Sequence, residues 1–220
     1  DVAAADEVLV RKNFVALLNK NGDGTRSDKF ERINYDQSIN GRVRVNTLGG
    51  EDSIASDDTS TMITLDGGND DDTFQIGQMF GSDRMAPNVL LGDEIETNET
   101  TQGFLSVGNS HPMVVFGGDG KDTFNVYSNK GLTKLFGEDG NDTFVVRAFV
   151  LKDNPLKTAG GGDAEAFGGG GDDSFLYNIN APLAIDGGAG TDTIVVLGTE
   201  RNDSFLITEQ GIFGAGLNIS

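Results

Sequence analysis

Residues 117–124, Gly-Gly-Asp-Gly-Lys-Asp-Thr-Phe, contain the pattern that decides the fold of this chain. Its order is a run of glycines, an aspartate, a hydroxyl residue and an apolar residue. Further copies lie at 67–74, 137–144, 168–175 and 187–194, with degenerate copies at 49–54 and 198–205. Such self-similarity is the signature of a repeat architecture, in which each unit buries its apolar face only by stacking on its neighbours.

Each copy contains a motif aspartate, the sixth residue in every copy except the short one at 49–54, and the spacing of these aspartates gives the length of the repeating unit. The steps between Asp52, Asp72, Asp122, Asp142, Asp173 and Asp192 are 20, 50, 20, 31 and 19 residues. The two long steps contain the segments 78–111 and 149–163, which lack the pattern. We therefore predict an all-β fold, a parallel β-helix or β-roll-like stack of coils of about 20 residues, with these segments as two loop insertions.

Alternating apolar residues flank each turn. Phe124 and Val126 follow one turn, Phe144 and Val146 follow the next, and pairs such as Met113 and Val115 precede them. A period of two gives each strand one inward face. The phenylalanines are thus predicted to stack as an inner ladder.

The amino-terminal residues are less regular. We predict that 1–48 form an irregular segment capping the stack and that 49–220 form the repeat domain. Residues 6–18 fit either a short helix or a pair of strands. Asn40-Gly41 lies between two apolar stretches, 33–35 and 43–45, and predicts a hairpin turn.

Composition excludes several classes of protein. The chain carries 35 acidic and 16 basic residues, for a net charge of -19, so compact folding calls for counter-cations and nucleic acid is not an expected partner. There is no cysteine, hence neither a disulfide framework nor a thiolate metal site. No run of 18 apolar residues is present, so no membrane span is expected.

The copies resemble the Gly-Gly-x-Gly-x-Asp-x-apolar-x nonapeptide of the RTX, or haemolysin-type, calcium-binding repeat family. The resemblance covers residues 49–205, although family members place two nonapeptides in each coil and this chain has one. It implies bound calcium ions and an extracellular location, secreted or at the cell surface. It also implies a module of a large exported bacterial protein, whose partners include neighbouring domains of the same longer chain.

In that family the ion lies between consecutive turns, bound by carbonyls of the glycine positions and by the sixth-position carboxylates. Calcium takes six to eight such oxygens, and glycine lets the backbone aim them inward. Metal-free glycine-aspartate turns are the alternative, but they leave stacked carboxylates to repel one another. Position by position, the resemblance implies three sites: Gly117, Asp119, Asp122, Gly137, Asp139 and Asp142; Gly168, Gly170, Asp173, Gly187, Ala189 and Asp192; and Asp52, Gly67, Asn69 and Asp72.

A separate candidate calcium loop opens at Asn19, Asn21 and Asp23, which are spaced like the first ligands of an EF-hand. The glutamate that should close such a loop is displaced, because Phe30 stands in its place and Glu31 follows one position late. A calcium loop and a plain hairpin or linker both remain open.

No catalytic constellation emerges from the sequence. The one histidine, His111, lies in the first insertion beside a proline. A polysaccharide lyase or epimerase on a β-helix is the enzyme alternative, but its acidic substrate needs massed basic residues, and here they are scattered. We predict a structural repeat module that folds on binding calcium. The alternative is a binding module that recognises a surface sugar or protein through the segments 78–111 and 149–163.

Overall fold

The computed structural model describes residues 4–20, 25–91, 93–147, 149–151, 154–159, 164–178, 183–198, 202–209 and 211–214. Every regular element of these residues is a β-strand. Within the same ranges, no helix is long and apolar enough to cross a membrane.

The strands follow one another along the chain with short connections. They are β1 (Glu7–Arg11), β2 (Phe14–Lys20), β3 (Arg26–Asn34), β4 (Arg42–Asn46), β5 (Ser53–Ser56), β6 (Met62–Asn69), β7 (Thr73–Ile76), β8 (Met79–Phe80), β9 (Thr97–Thr100), β10 (Gly103–Ser106), β11 (Met113–Asp119), β12 (Thr123–Val126), β13 (Thr133–Asp139), β14 (Thr143–Val146), β15 (Phe149–Leu151), β16 (Asn154–Ala159), β17 (Ala164–Gly170), β18 (Ser174–Asn178), β19 (Leu183–Ala189), β20 (Thr193–Leu197), β21 (Phe205–Thr208) and β22 (Gly211–Gly214).

Two large sheets are built by the repeating units, and each unit gives one strand to each sheet. The first sheet has the order β20-β18-β14-β12-β7-β5-β1-β2-β3 and is parallel from β20 to β1. The second, β19-β17-β13-β11-β6-β4, is parallel throughout. The aspartate turn joins the second-sheet strand to the first-sheet strand of the same unit. The all-β, parallel-stranded character predicted from the repeats is confirmed.

A ladder of phenylalanines fills the core between the sheets. Phe74, Phe124, Phe144 and Phe175 are fully buried, and successive rings stack at centroid distances of 5.0, 4.6 and 4.7 Å. These distances match the strand spacing of about 4.8 Å. Across the core they face a second row of buried residues on the parallel sheet: Ile63, Leu65, Met113, Val115, Leu135 and Ala166. The inward ladder expected from the period-two pattern is therefore present.

A second aromatic ladder lies on the outward face of the all-parallel sheet. Phe116, Phe136 and Phe167 stack at 5.1 and 4.8 Å but remain partly exposed. They lie one position from the inward residues, which places them on the opposite face of the same strands. This row was not predicted from the sequence.

The amino-terminal strands extend the stack. Residues 6–18 contain β1 and β2 and no helix, and β1 pairs in parallel with β5. The predicted hairpin at Asn40-Gly41 is wrong, because β3 pairs with β2 while β4 pairs with β6 in the other sheet. Val43 and Val45 lie opposite Ile63 and Leu65, so β4 adds its apolar face to the common core.

The two insertions are not plain loops. Strands β8, β9 and β10 of the first and β15 and β16 of the second form one antiparallel sheet, in which Leu151 lies opposite Thr100. Both insertions interrupt the connection from the first sheet back to the second, so they leave the stack on the same side and meet. Ile95, Leu105 and Val107 are buried, whereas Leu90 and Leu91 are exposed.

The carboxyl-terminal copy departs from the repeat. Phe205 and Ile207 lie in β21, which pairs antiparallel with β22 and not with β20. Their side chains are 46% and 73% exposed, and Ile194 of β20 is 50% exposed. The predicted inward alternation thus gives a buried face only up to Tyr177 of β18.

Replacing a single rung of the buried ladder tests the packing. Phe144→Ala opens a cavity between the stacked rings of Phe124 and Phe175, at an expected cost of about 3–5 kcal/mol in the free energy of unfolding. Phe136→Ala, in the partly exposed outer ladder, is the matched control and is expected to cost clearly less. Chemical denaturation of both variants measures the difference, and equal losses would contradict the assignment of the two faces.

Candidate metal centre

The turns that join the two sheets share one backbone geometry. Gly118 and Gly120 have positive φ angles of 115° and 146°. Glu138 and Asp70, which replace glycine at the corresponding positions of other turns, also adopt positive φ, at 77° and 78°. The two non-glycine residues therefore accept the left-handed conformation, and these turns keep the shape of their neighbours.

The sixth-position aspartates form a buried row along one edge of the stack. Each carboxylate accepts, through Oδ1, a hydrogen bond from the backbone N–H of the aspartate in the preceding turn. The contacts are Asp6 N to Asp52 at 2.6 Å, Asp52 N to Asp72, Asp72 N to Asp122, Asp122 N to Asp142 and Asp142 N to Asp173 at 2.8 Å each, and Asp173 N to Asp192 at 3.1 Å. This inner aspartate ladder is continuous across both insertions.

The second oxygen of five of the six carboxylates in the inner aspartate ladder has no partner. It is buried and without a hydrogen bond in five aspartates: Asp52, Asp72, Asp122, Asp142 and Asp173. A buried acceptor left in this state is costly, and more so when it is charged. The row therefore demands a proton or a cation beside each Oδ2 atom.

A glycine carbonyl approaches the same space as four of the five orphaned oxygens, those of Asp72, Asp122, Asp142 and Asp173. A Cβ atom built on Gly117 would overlap Oδ2 of Asp122 and lie 2.7 Å from the carbonyl oxygen of Gly137 in the next turn. The space beside Gly137 is approached in the same way by Oδ2 of Asp142 and the carbonyl of Gly168. Only glycine fits here, because the carboxylate lies directly against the Cα atom, and two acceptors meet there without a donor.

Burial and mutual repulsion raise the pKa values of these carboxyl groups. Burial raises the pKa of Asp72 to about 7, and the charges of Asp122 and Asp52 add to the effect. Burial likewise raises the pKa of Asp142 to about 7 and that of Asp122 to about 6. For Asp173 the direction is the same, with burial first and Asp192 second among the causes that raise it. Without a counter-cation, the row holds its negative charge only at a free-energy cost.

A second ladder, missed in the sequence analysis, runs outside the first in the opposite direction. Lys121 N donates to Oδ1 of Asp71, Asp172 N to Oδ1 of Asn141, and Thr191 N to Oδ1 of Asp172, at 2.7–2.9 Å. These acceptors stand one residue before the buried aspartates and are exposed. Asp or Asn at the fifth position of three turns is the sequence signal that could have predicted them.

The remaining predicted ligands lie apart from the inner row. Asp119, Asp139, Asn69, Gly170 and Ala189 occupy matching positions in the all-parallel sheet, where Asp119 lies opposite both Asp139 and Asn69 and Gly170 lies opposite Ala189. Asp119, Asp139, Asn69 and Ala189 are exposed. Asn19 lies in β2, next to its last residue, while Asn21 and Asp23 lie outside the described residues.

A cation in the inner row would need backbone carbonyls as well as the aspartates, and further oxygens to reach the six to eight that calcium takes. Among the residues that the structure describes, no three carboxylate or imidazole side chains converge as a metal cluster. Each turn instead pairs one orphaned carboxylate oxygen with one carbonyl oxygen of the next turn, as at Asp122 and Gly137. Calcium accepts this mixture of carboxylate and carbonyl ligands and tolerates irregular geometry.

Comparison of this chain with protein-family models, with curated proteins and with solved structures finds no match.

A methyl group at the first glycine of a turn tests the close approach of the carboxylate. Gly137→Ala places its Cβ atom on Oδ2 of Asp142 and on the Gly168 carbonyl, so it is expected to destabilise the fold strongly. Gly170→Ala is the control, because its Cβ meets nothing nearer than Asp139 Oδ1 at 3.3 Å. Thermal unfolding by circular dichroism compares the two, and similar melting temperatures would refute the assigned contact.

The raised pKa values predict how stability depends on pH in the absence of divalent metal. Because the folded-state pKa values of Asp72, Asp122 and Asp142 lie above the ordinary value of 3.8, folding favours their protonated forms. This contribution is complete below about pH 4 and is lost as the pH rises through about 6 to 7. Metal-free protein should therefore melt at a lower temperature at about pH 8 than at about pH 5. A melting temperature that rises over this interval in EDTA would contradict the shifts.

Proposed function

We propose that this chain is a calcium-binding structural repeat module of a large secreted or cell-surface bacterial protein, of the RTX type. In this proposal its units wind as a parallel β-helix or β-roll-like stack that folds on binding calcium. The observation that carries it is the row of five buried Oδ2 atoms without partners. Cations beside such a buried row of like charges would stabilise it at neutral pH.

The two oxygens of each ladder carboxylate have different roles in this proposal. Oδ1 of each ladder aspartate accepts the N–H of the preceding turn and fixes the carboxylate in place. Oδ2 and the carbonyl of the next turn's glycine, as at Asp142 and Gly168, are the groups that would hold the ion. Bound calcium supplies the positive charge that neutralises neighbouring carboxylates. Folding and metal binding are thereby linked, since the row does not exist in the unfolded chain.

A role without catalysis accords with the position of the one histidine. His111 Nδ1 lies 2.8 Å from the backbone carbonyl oxygen of Thr59, at the side of the stack opposite the aspartate turns. A hydrogen bond of this kind anchors the loop that carries it. We accordingly propose a structural module and not an enzyme.

Calcium titration tests the proposal. Each occupied site adds about 3–4 kcal/mol to the free energy of unfolding when calcium is present at about 100–1,000 times its dissociation constant. EDTA should lower the melting temperature by many degrees or unfold the chain, and calcium should restore it. Magnesium should not, because it requires near-ideal octahedral geometry and keeps its water. An unchanged melting curve in EDTA, with metal analysis showing no retained calcium, would refute calcium-linked folding.

Asp142→Asn separates calcium binding from a metal-free hydrogen-bonded ladder. Asparagine keeps an acceptor for the N–H of Asp122 and removes the buried charge. In EDTA at neutral pH the variant should equal or exceed the wild type in stability, whereas in calcium the wild type should be the more stable protein. A variant that is more stable under both conditions would favour the metal-free ladder.

A further inference from the structure

A cleft of about 650 Å³ lies at the side of the stack, away from the aspartate turns. Three remote segments form its walls: the β1–β2 turn, the turn that follows β5, and residues 84–85 and 93–96 of the first insertion. Its volume lies in the range of sites that bind small molecules. The cleft shares no residue with the inner aspartate ladder, so its function is separable from calcium binding.

The base of the cleft holds a carboxylate that the protein leaves unsatisfied. Asp57 is only 3% exposed, and neither of its carboxylate oxygens has a hydrogen-bond partner. Burial, the largest effect, raises the pKa of Asp57 to about 6. The Ser106 hydroxyl and the Gly108 amide lower that pKa, but neither reaches hydrogen-bond geometry with the carboxylate. The nearest cation is Arg11, whose Nη1 is 3.9 Å from Oδ2.

An unsatisfied donor lines the same cleft. Nε of Arg84 is buried without a hydrogen-bond partner, and the guanidinium lies over the ring of Phe80, 5.1 Å from its centroid. Its Nη2 donates only a long hydrogen bond, 3.4 Å, to the backbone carbonyl oxygen of Asp93. The cleft thus presents at least one buried acceptor group and one buried donor, each of which ordinarily finds a partner.

The charges around these groups indicate what kind of ligand fits. Burial lowers the pKa of Arg11, and the nearby positive charge of Arg84 lowers it further. The pKa of Arg11 is raised by the negative charges of Asp57, Asp58 and Asp93. With Lys12, Glu94 and Glu96, three basic and five acidic side chains line the cleft, so a ligand with a net charge of either sign would meet like charge there. A hydroxyl group is neutral and both donates and accepts, so it satisfies Asp57 and Arg84 together.

We propose that this cleft binds a neutral carbohydrate of one or two sugar rings, with hydroxyl groups donating to Asp57 and accepting from Arg84. The half-buried Phe14 and the exposed Met85 line the cleft and supply apolar surface for the carbon face of a ring. Recognition then resides where the first insertion meets the amino-terminal strands.

Binding to an array of neutral and sialylated oligosaccharides tests this proposal, with a short lysine-containing peptide as the cationic comparator. The full chain is used in calcium, with its fold checked by circular dichroism, and hits are measured by titration calorimetry. We expect binding of a neutral mono- or disaccharide. Asp57→Asn should weaken it by about tenfold to hundredfold, because the variant removes the charge and replaces one acceptor oxygen with an amide donor.

Two further variants keep the result interpretable. Asn13→Trp fills the mouth of the cleft from an exposed turn and should abolish binding without touching the buried groups. Asp66→Asn, which makes the same charge change beside Arg44 on the other sheet, should leave affinity unchanged. The proposal is overturned if no neutral glycan binds the folded protein, if binding survives both cleft substitutions, or if only the sialylated glycans or the peptide bind.

Discussion

In-register stacking of similar turns brings their carboxylates into one buried row. The electrostatic repulsion within that row sets the conditions under which the stack is stable. The backbone offers each aspartate one N–H, from the turn before it, and this satisfies Oδ1. Nothing in the described chain does the same for Oδ2. The fold thus supplies the position of each carboxylate but not its counter-charge, which must come from the solution as a proton or a metal ion.

The same register explains the core and the placement of the insertions. Phe124 and Phe144 follow Asp122 and Asp142 by two residues, so aligning the aspartates also aligns the phenylalanines. The same register therefore produces both the aspartate row and the phenylalanine ladder. The connections on the other side carry no such row. Additional residues are tolerated in those connections. Both insertions leave the stack from that side, and their strands pair in a single antiparallel sheet.

The repeated part of the fold was predictable because its signal is local and recurs. The turn aspartates and the inward Phe74, Phe124, Phe144 and Phe175 follow directly from period and alternation. The hairpin predicted at Asn40-Gly41 failed because a local turn preference competed with burial of Val43 and Val45 against a strand 20 residues further along. The cleft around Asp57 was not predictable at all, since its walls come from segments whose proximity depends on the finished stack.

The shared register allows whole units to be removed from or added to the chain during evolution. Residues 123–142 span one 20-residue step of the ladder, from the residue after Asp122 to Asp142. If they were deleted, Asp122 would be followed directly by Thr143. Phe144 would then meet Phe74 across the strand spacing that Phe124 now occupies, and β17 would meet β11 with Ala166 beside Val115. The inward residues of each unit and its outer phenylalanine thus match those they would newly meet. Unequal recombination within the gene can therefore shorten or lengthen the stack by whole units while the register of the remaining strands is kept.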